Sequence, residues 1–302
     1  MTPPVHGVAV DAGSGLAEAL RAARGPASEP GDLRRFKLAV VRALGPGATT
    51  LLLDASLGPG LLSDIPPDCE PMLAWEADVY HIRDDDRVTV PPDDLAIADF
   101  PRLGVRQLKF FMWFDPDDPT PLNARKRRLV GEVGAAARAE GLRFLMEPLV
   151  YRRNVPPGGA AFAAIKPDLV QRATAAFADP ALGVDVLKVE VPVDLDHVTG
   201  FGAPDRSRSE ALAAFRDAAR PATEAGIPFV YLSAGVPFDR FEASLRLAAE
   251  ARTGAAGFVC GRALWNEAIP IFGRDGPEAA EAWLAGEGRA RLDRLKAALE
   301  GA

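Results

Sequence analysis

The chain has few of the residues that hold metal ions or disulfides. Its 302 residues include two cysteines, Cys69 and Cys260, and three histidines, none at a metal-ligand spacing. Two distant cysteines without a CxxC pair indicate a reduced, cytoplasmic setting. We therefore predict no metal site, and we interpret His6, His81 and His197 as surface or loop residues.

Long apolar runs and an excess of positive charge are also missing. No stretch approaches the roughly 20 apolar residues that span a bilayer, and the opening segment "MTPPVHGVAVDAG" lacks the features of a signal peptide. The net charge is −7, which disfavours sequence-blind binding to nucleic acid or anionic membranes. The basic run "RKRRL" at 125–129 lies in a helix-like stretch, where we expect a solvated face. Neither a nucleic acid nor a membrane is expected as a partner.

What the sequence does contain is a regular alternation of short apolar runs and longer helical patterns. The runs are rich in β-branched and aromatic residues, whereas the segments between them are rich in Ala, Leu, Arg and Glu. We predict strands at 7–11, 49–54, 71–76, 105–114, 142–149, 184–191, 228–234 and 256–261. Helices are expected in most of the gaps, for example "NARKRRLVGEVGAAARAEG", which ends at Gly141.

Eight such repeats are the number that closes a (β/α)₈ TIM barrel. We therefore expect one α/β domain over residues 1–302. An open, doubly wound sheet is the main alternative, and it usually carries a glycine-rich turn after its first strand. "DAGSGLAEAL" at 11–20 matches that motif only in part, since the third glycine is missing.

Three neighbouring strands each carry an ionisable residue where an apolar one would be expected. Side chains alternate along a strand, so Lys188 shares a face with Val186 and Glu190. By the same alternation Lys109 and Glu147 can point into the barrel from the two preceding strands. We expect Lys109, Glu147 and Lys188 to converge near the carboxyl ends of the strands, where barrels place their catalytic groups.

Two amines and a carboxylate together indicate a specific chemistry. Burial and a neighbouring cation lower the pKa of a lysine, and a free amine attacks a carbonyl to form a Schiff base without a cofactor. Glu147 is then the candidate proton shuttle. A buried Lys–Glu ion pair that only fills the barrel is the alternative, although such pairs rarely improve on apolar packing.

Two glycine-containing turns follow the seventh and eighth strands, where barrels commonly bind phosphate. "YLSAGV" offers Ser233, Ala234 and Gly235, and "VCGRAL" offers Gly261 and Arg262. Backbone N–H groups, a hydroxyl and a guanidinium are suited to an anion. We therefore expect a phosphorylated substrate.

These motifs resemble those of the class I tagatose-1,6-bisphosphate aldolase family, which also contains sulfofructose-phosphate aldolases. "GVDVLKVEVPV", "LKFFMWFDPDD", "FLMEPL", "YLSAGV" and "CGRALW" carry the resemblance, with support from "LAWE" and "KPDLV". The resemblance implies that Lys188 is the Schiff-base lysine, Glu147 the acid/base and Lys109 the second lysine. It also implies a role for Asp11 at the substrate, no cofactor, and cleavage of a ketose such as tagatose 1,6-bisphosphate into dihydroxyacetone phosphate and an aldehyde.

The first third of the chain departs from the family pattern. "DAGS" at 11–14 stands where the family usually has "DQRG", and "LDASLG" at 53–58 where it has "LDPEYG". These loops face the far end of the sugar, so a 6-substituted ketose 1-phosphate, such as 6-deoxy-6-sulfofructose 1-phosphate, is an alternative substrate. A catalytically weak sugar-phosphate sensor is another alternative. Whether the chain forms a homo-oligomer, and what Glu190 does, stay open.

Overall fold

Eight parallel strands form a closed barrel in the computed structural model, which describes residues 4–78, 82 and 85–301. Each strand pairs with its neighbours in chain order, and β1 pairs with β8 to close the ring. The predicted (β/α)₈ barrel is confirmed, and the open sheet is excluded because no strand edge is left between β8 and β1. His81 lies outside the described residues.

All eight predicted strands are present, with ends that shift by a few residues. The strands are β1 (Val5–Ala9), β2 (Thr50–Leu53), β3 (Glu70–Ala74), β4 (Gln107–Phe114), β5 (Arg143–Val150), β6 (Val186–Glu190), β7 (Phe229–Leu232) and β8 (Gly257–Cys260). β4 and β5 have the longest register, from Gln107 opposite Arg143 to Phe114 opposite Val150. β3 ends at Ala74, so Glu76 lies in the loop that follows it.

Ten α-helices surround the strands in the described part of the chain. They are α1 (Ser14–Arg24), α2 (Asp32–Leu44), α3 (Thr120–Ala139), α4 (Ala160–Phe177), α5 (Arg208–Glu224), α6 (Phe238–Glu250), α7 (Arg262–Trp265), α8 (Ala268–Asp275), α9 (Pro277–Trp283) and α10 (Arg289–Glu300). Between β2 and β3 the chain forms the 3₁₀ segment Gly58–Asp64 instead of an α-helix. This segment contains Pro59 and two glycines, which disfavour a longer α-helix.

Apolar packing occurs in two places. The larger core lies between the strands and the helices, whereas a smaller cluster fills the inside of the barrel. The inner cluster consists of Ala9, Leu52, Met72, Ala74, Leu145, Val186, Val230 and Val259. Side chains of alternate residues build such layers, as expected for a barrel of this kind.

The basic run in α3 is not wholly solvated, contrary to expectation. Lys126 is fully buried, and its Nζ lies 3.1 Å from the hydroxyl of Tyr151 and 3.4 Å from Oδ2 of Asp118. Arg125 and Arg128, on the same run, are exposed as predicted. None of the described helices is long and apolar enough to cross a membrane.

Candidate active site

A cavity of about 350 Å³ opens at the carboxyl ends of the strands. Every residue that we singled out as catalytic or substrate-binding lines it: Asp11, Lys109, Glu147, Lys188, Ser233, Ala234, Gly235, Gly261 and Arg262. Because these residues come from six different strands or the loops after them, only the closed barrel brings them together. The position agrees with the general location of barrel active sites.

Three of these residues make the floor of the cavity. Lys109, Glu147 and Lys188 are each at least nine-tenths buried. Oε2 of Glu147 lies 2.9 Å from Nζ of Lys109 and accepts a hydrogen bond of 3.0 Å from Nζ of Lys188. The strand alternation that predicted this convergence is therefore correct for all three.

Lys109 is surrounded by carboxylates. Besides Glu147, its Nζ donates to Oδ2 of Asp11 at 3.3 Å and forms a short hydrogen bond with Glu76. Burial lowers the pKa of Lys109, but the attraction of Glu147, Glu76 and Asp11 outweighs burial and raises it well above its ordinary value. Lys109 is thus a fixed cation at neutral pH.

The carboxylates around Lys109 respond in opposite ways. Burial raises the pKa of Asp11 and Glu147, yet the nearby Lys109 and Lys188 bring both below their ordinary values, Asp11 to about 2. For Glu76 burial dominates over Lys109, and its pKa rises to about 7. The site therefore holds two ionised carboxylates and one that titrates near neutrality.

Glu76 was not among the residues that we selected from the sequence. It is 7% exposed, lines the cavity and contacts Lys109 directly. The available signal was its place just after β3, at the carboxyl end of the strand, where barrels carry their functional residues.

Glu190 has a structural role on the outer side of this site. Its Oε1 accepts a hydrogen bond of 2.9 Å from the backbone N of Val150, and its Oε2 lies 3.3 Å from Nζ of Lys166 on α4. It does not line the cavity. Glu190 is the last residue of β6, and it links this strand to β5 and α4 instead of joining Lys188 at the cavity.

The loops after β7 and β8 form one end of the cavity. Ala234 and Gly235 both have positive φ angles, of 48° and 78°, and Ser233 O accepts a hydrogen bond from Val236 N across the turn. The guanidinium of Arg262, the first residue of α7, lies against Gly235. Arg262 is exposed, whereas Ser233 is buried.

Comparison with known proteins agrees with this geometry. The family model described as DeoC/LacD family aldolase matches residues 6–267. Curated relatives named tagatose 1,6-diphosphate aldolase, from Staphylococcus aureus strains RF122 / ET3-1 and JH9, are 34% identical over 275 residues, which are 89% of this chain and 82% of each relative. Among solved structures, fructose-bisphosphate aldolase from Plasmodium falciparum superposes with a TM-score of 0.73 at 14% identity, over 99% of this chain and 92% of that one.

The fold and these matches define the chain as an aldolase built on a (β/α)₈ barrel. It belongs to the DeoC/LacD family of aldolases. The Plasmodium structure supports the fold alone, because its identity to this chain is low.

Proposed function

We propose that the protein is a class I aldolase that cleaves a phosphorylated ketose through a Schiff base on Lys188. The observation that carries the proposal is the buried Lys188 amine at the cavity floor, 3.0 Å from Glu147 Oε2, with Lys109 on the same oxygen. Membership of an aldolase family supports it. The products are dihydroxyacetone phosphate and an aldehyde.

In the first half of the reaction, the unprotonated Lys188 amine adds to the C2 carbonyl of the ketose. The resulting carbinolamine loses water to give an iminium ion. Removal of the proton from the C4 hydroxyl breaks the C3–C4 bond, and the electron pair of that bond moves into the iminium to form an enamine. The aldehyde leaves at this point.

In the second half, a proton returns to C3 of the enamine and restores the iminium. Water then adds to C2, and elimination of the amine releases dihydroxyacetone phosphate and regenerates Lys188. Glu147 is ionised and touches Lys188, so it can take the amine proton and return protons in the later steps. The fixed charge of Lys109 stabilises negative charge that develops on oxygen near Glu147.

The C1 phosphate is assigned to the end of the cavity formed by Ser233, Ala234, Gly235, Gly261 and Arg262. Ala234 and Gly235 have positive φ and form a tight turn, and backbone N–H groups at such a turn are suited to an anion. Arg262 supplies a cation at the same end, and its fork of donors is suited to phosphate oxygens. The proposal requires C2 of the ketose to reach Lys188 when the C1 phosphate is held at this end.

The name of the curated relatives makes tagatose 1,6-bisphosphate the first ketose to test. The 6-deoxy-6-sulfofructose 1-phosphate alternative uses the same lysine and the same phosphate end. The two substrates differ in the group at C6, which the opposite end of the cavity must accept, and in the configuration at C4.

Trapping of the Schiff base tests the proposal. Borohydride with dihydroxyacetone phosphate is expected to leave a reduced adduct on Lys188, identified by mass spectrometry of proteolytic peptides. Lys188→Met is expected to lose the adduct and at least about 1000-fold of the cleavage rate. Lys166→Met is the matched control, because Lys166 is also buried against a glutamate but lies outside the cavity.

A second arm concerns metals and the sensor alternative. EDTA is expected to leave cleavage unchanged, because the proposed electron sink is the iminium. Loss of activity with EDTA, or trapping on a lysine other than Lys188, contradicts the proposal. Binding of ketose phosphates without any cleavage supports the sensor alternative instead.

A further inference from the structure

The two ends of the cavity differ in charge. Arg262 lies at the phosphate end, after β8. The opposite end is built by the loops after β2 and β3, and we name it the acidic end for its four aspartates, Asp54, Asp78, Asp93 and Asp94. No lysine or arginine lies at the acidic end among the described residues that line the cavity.

Asp54 at the acidic end is paired with a cation. Asp54 forms an ion pair with the fully buried Lys37 of α2, and its other oxygen accepts hydrogen bonds from Ser56 and Leu57. Asp93 and Asp94 are exposed at the cavity mouth. These two described carboxylates therefore repel an anion that approaches the mouth.

The amino-terminal end of α1 would otherwise be a natural place for an anion. There the backbone N of Ser14 donates a short hydrogen bond to Oδ2 of Asp78. The same oxygen would lie 2.5 Å from a Cβ atom placed on Gly13, so the carboxylate rests directly against the turn. A carboxylate of the protein thus holds the position that a phosphate or sulfonate of a substrate would need.

Glu76 adds an independent sign of what this end binds. Its Oε1 is bonded to Lys109, but its Oε2 has no hydrogen-bond partner among the described residues, although the residue is 7% exposed. A buried carboxyl oxygen without a partner is costly, and a hydroxyl donor from a ligand removes that cost. Glu76 lines the cavity on the β3 side, next to the acidic end.

We propose that the aldehyde half of the substrate ends in uncharged hydroxyl groups, so that the ketose carries one phosphate, at C1. Glu76 accepts a hydrogen bond from one of these hydroxyls, and the acidic end disfavours a second phosphate or a sulfonate. This inference rests on the proposed function. It changes the preferred substrate from a bisphosphate to a monophosphate.

The condensation reaction isolates the acidic end, because every acceptor meets the same enamine formed from dihydroxyacetone phosphate. We compare kcat/KM for D-glyceraldehyde with that for D-glyceraldehyde 3-phosphate at low ionic strength. The uncharged acceptor is expected to be favoured by at least about tenfold. An equal or greater kcat/KM for the phosphorylated acceptor overturns the inference.

Charge reversal provides the second measurement. The double variant Asp93→Lys/Asp94→Lys is expected to shift the acceptor ratio at least about tenfold toward glyceraldehyde 3-phosphate. Asp217→Lys/Glu224→Lys is the matched control, because it makes the same change in net charge at exposed positions on α5 outside the cavity. A ratio that shifts equally in both double variants overturns the inference, since overall charge would then explain it.

The two proposals fail in different ways. Absence of a trapped adduct on Lys188 contradicts the Schiff-base aldolase itself. A trapped adduct together with a preference for the phosphorylated acceptor leaves the aldolase in place and rejects only the monophosphate substrate.

Discussion

At the scale of single residues, the site is a shared charge network and not a set of separate pairs. Lys109 has three carboxylate neighbours, Asp11, Glu76 and Glu147, whereas in the described part of the chain Lys188 forms an ion pair with Glu147 only. The carboxylates therefore hold Lys109 as the permanent cation. Lys188 and Lys109 share one carboxylate oxygen, Oε2 of Glu147.

Glu76 gives a stability prediction that depends on pH. Burial raises its pKa from 4.5 to about 7, so the folded state binds this proton more tightly than the unfolded chain does. The protonated Glu76 side chain contributes its full stabilisation of the folded state below about pH 4.5. This contribution is lost as the pH rises through 7, because burial penalises the ionised form. From pH 5 to pH 8, the free energy of unfolding of the wild type is expected to fall by about 2 to 3 kcal/mol relative to Glu76→Gln.

Urea unfolding at pH 5 and pH 8, followed by far-UV circular dichroism, measures this difference. Asp11 does not interfere, because its pKa is lowered to about 2 and its contribution changes only below pH 4. The same stability difference between the two proteins at both pH values would show that Glu76 is ionised in the folded state throughout.

The sequence predicted the charged cluster at the cavity floor better than its surroundings. Lys109, Glu147 and Lys188 stand out because each is a charged residue inside an apolar strand, and strand alternation alone puts them on one face. Glu76 lies beyond the end of β3, where alternation no longer applies. By alternation Glu190 is expected on the same face as Lys188, but it pairs with Lys166. The sequence could not predict this pair, because it depends on how α4 packs.

At the scale of elements, α3 shows a constraint that composition hides. The helix contains Gly131 and Gly134, and from composition alone both are expected only to lower the stability of the helix. A Cβ atom on Gly134 would lie 2.0 Å from the backbone oxygen of Leu182, whereas one on Gly131 would meet only Cδ2 of Leu182 at 3.5 Å. The turn Pro180–Leu182 thus rests on α3 at Gly134.

Substitution of the two glycines separates close packing from propensity. Gly134→Ala is expected to lower the free energy of unfolding by about 2 to 3 kcal/mol, because the turn before β6 has to move. Gly131→Ala is expected to raise it by up to about 1 kcal/mol through helix propensity. Urea unfolding of both variants measures these values, and a stabilising Gly134→Ala would show that the turn yields without cost.

At the scale of the whole molecule, strand number and order followed from the sequence because the repeats are regular and the connections of parallel strands are strongly restricted. Closure of the ring depends on contacts between distant residues. Trp265 of α7 donates from Nε1 to the backbone oxygen of Ala9 at 2.8 Å, and Arg24 of α1 lies over the ring of Phe272 in α8. Neither contact could be predicted from the sequence, because the residues concerned are about 250 positions apart.

These closing contacts predict that the barrel unfolds as one cooperative unit, in agreement with the expected single domain. Trp75 and Trp113 lie in the first half of the barrel, and Trp265 and Trp283 in the second. Two variants separate the halves. One keeps only the first pair of tryptophans and the other only the second pair, with Phe at the remaining two positions, so that the fluorescence of each reports on one half. In each variant the fluorescence transition in urea is expected to coincide with the transition in far-UV circular dichroism, because neither half has a closed sheet without the other. Two separated transitions, with one half melting first, would instead indicate half-barrels that fold independently and would contradict the single domain.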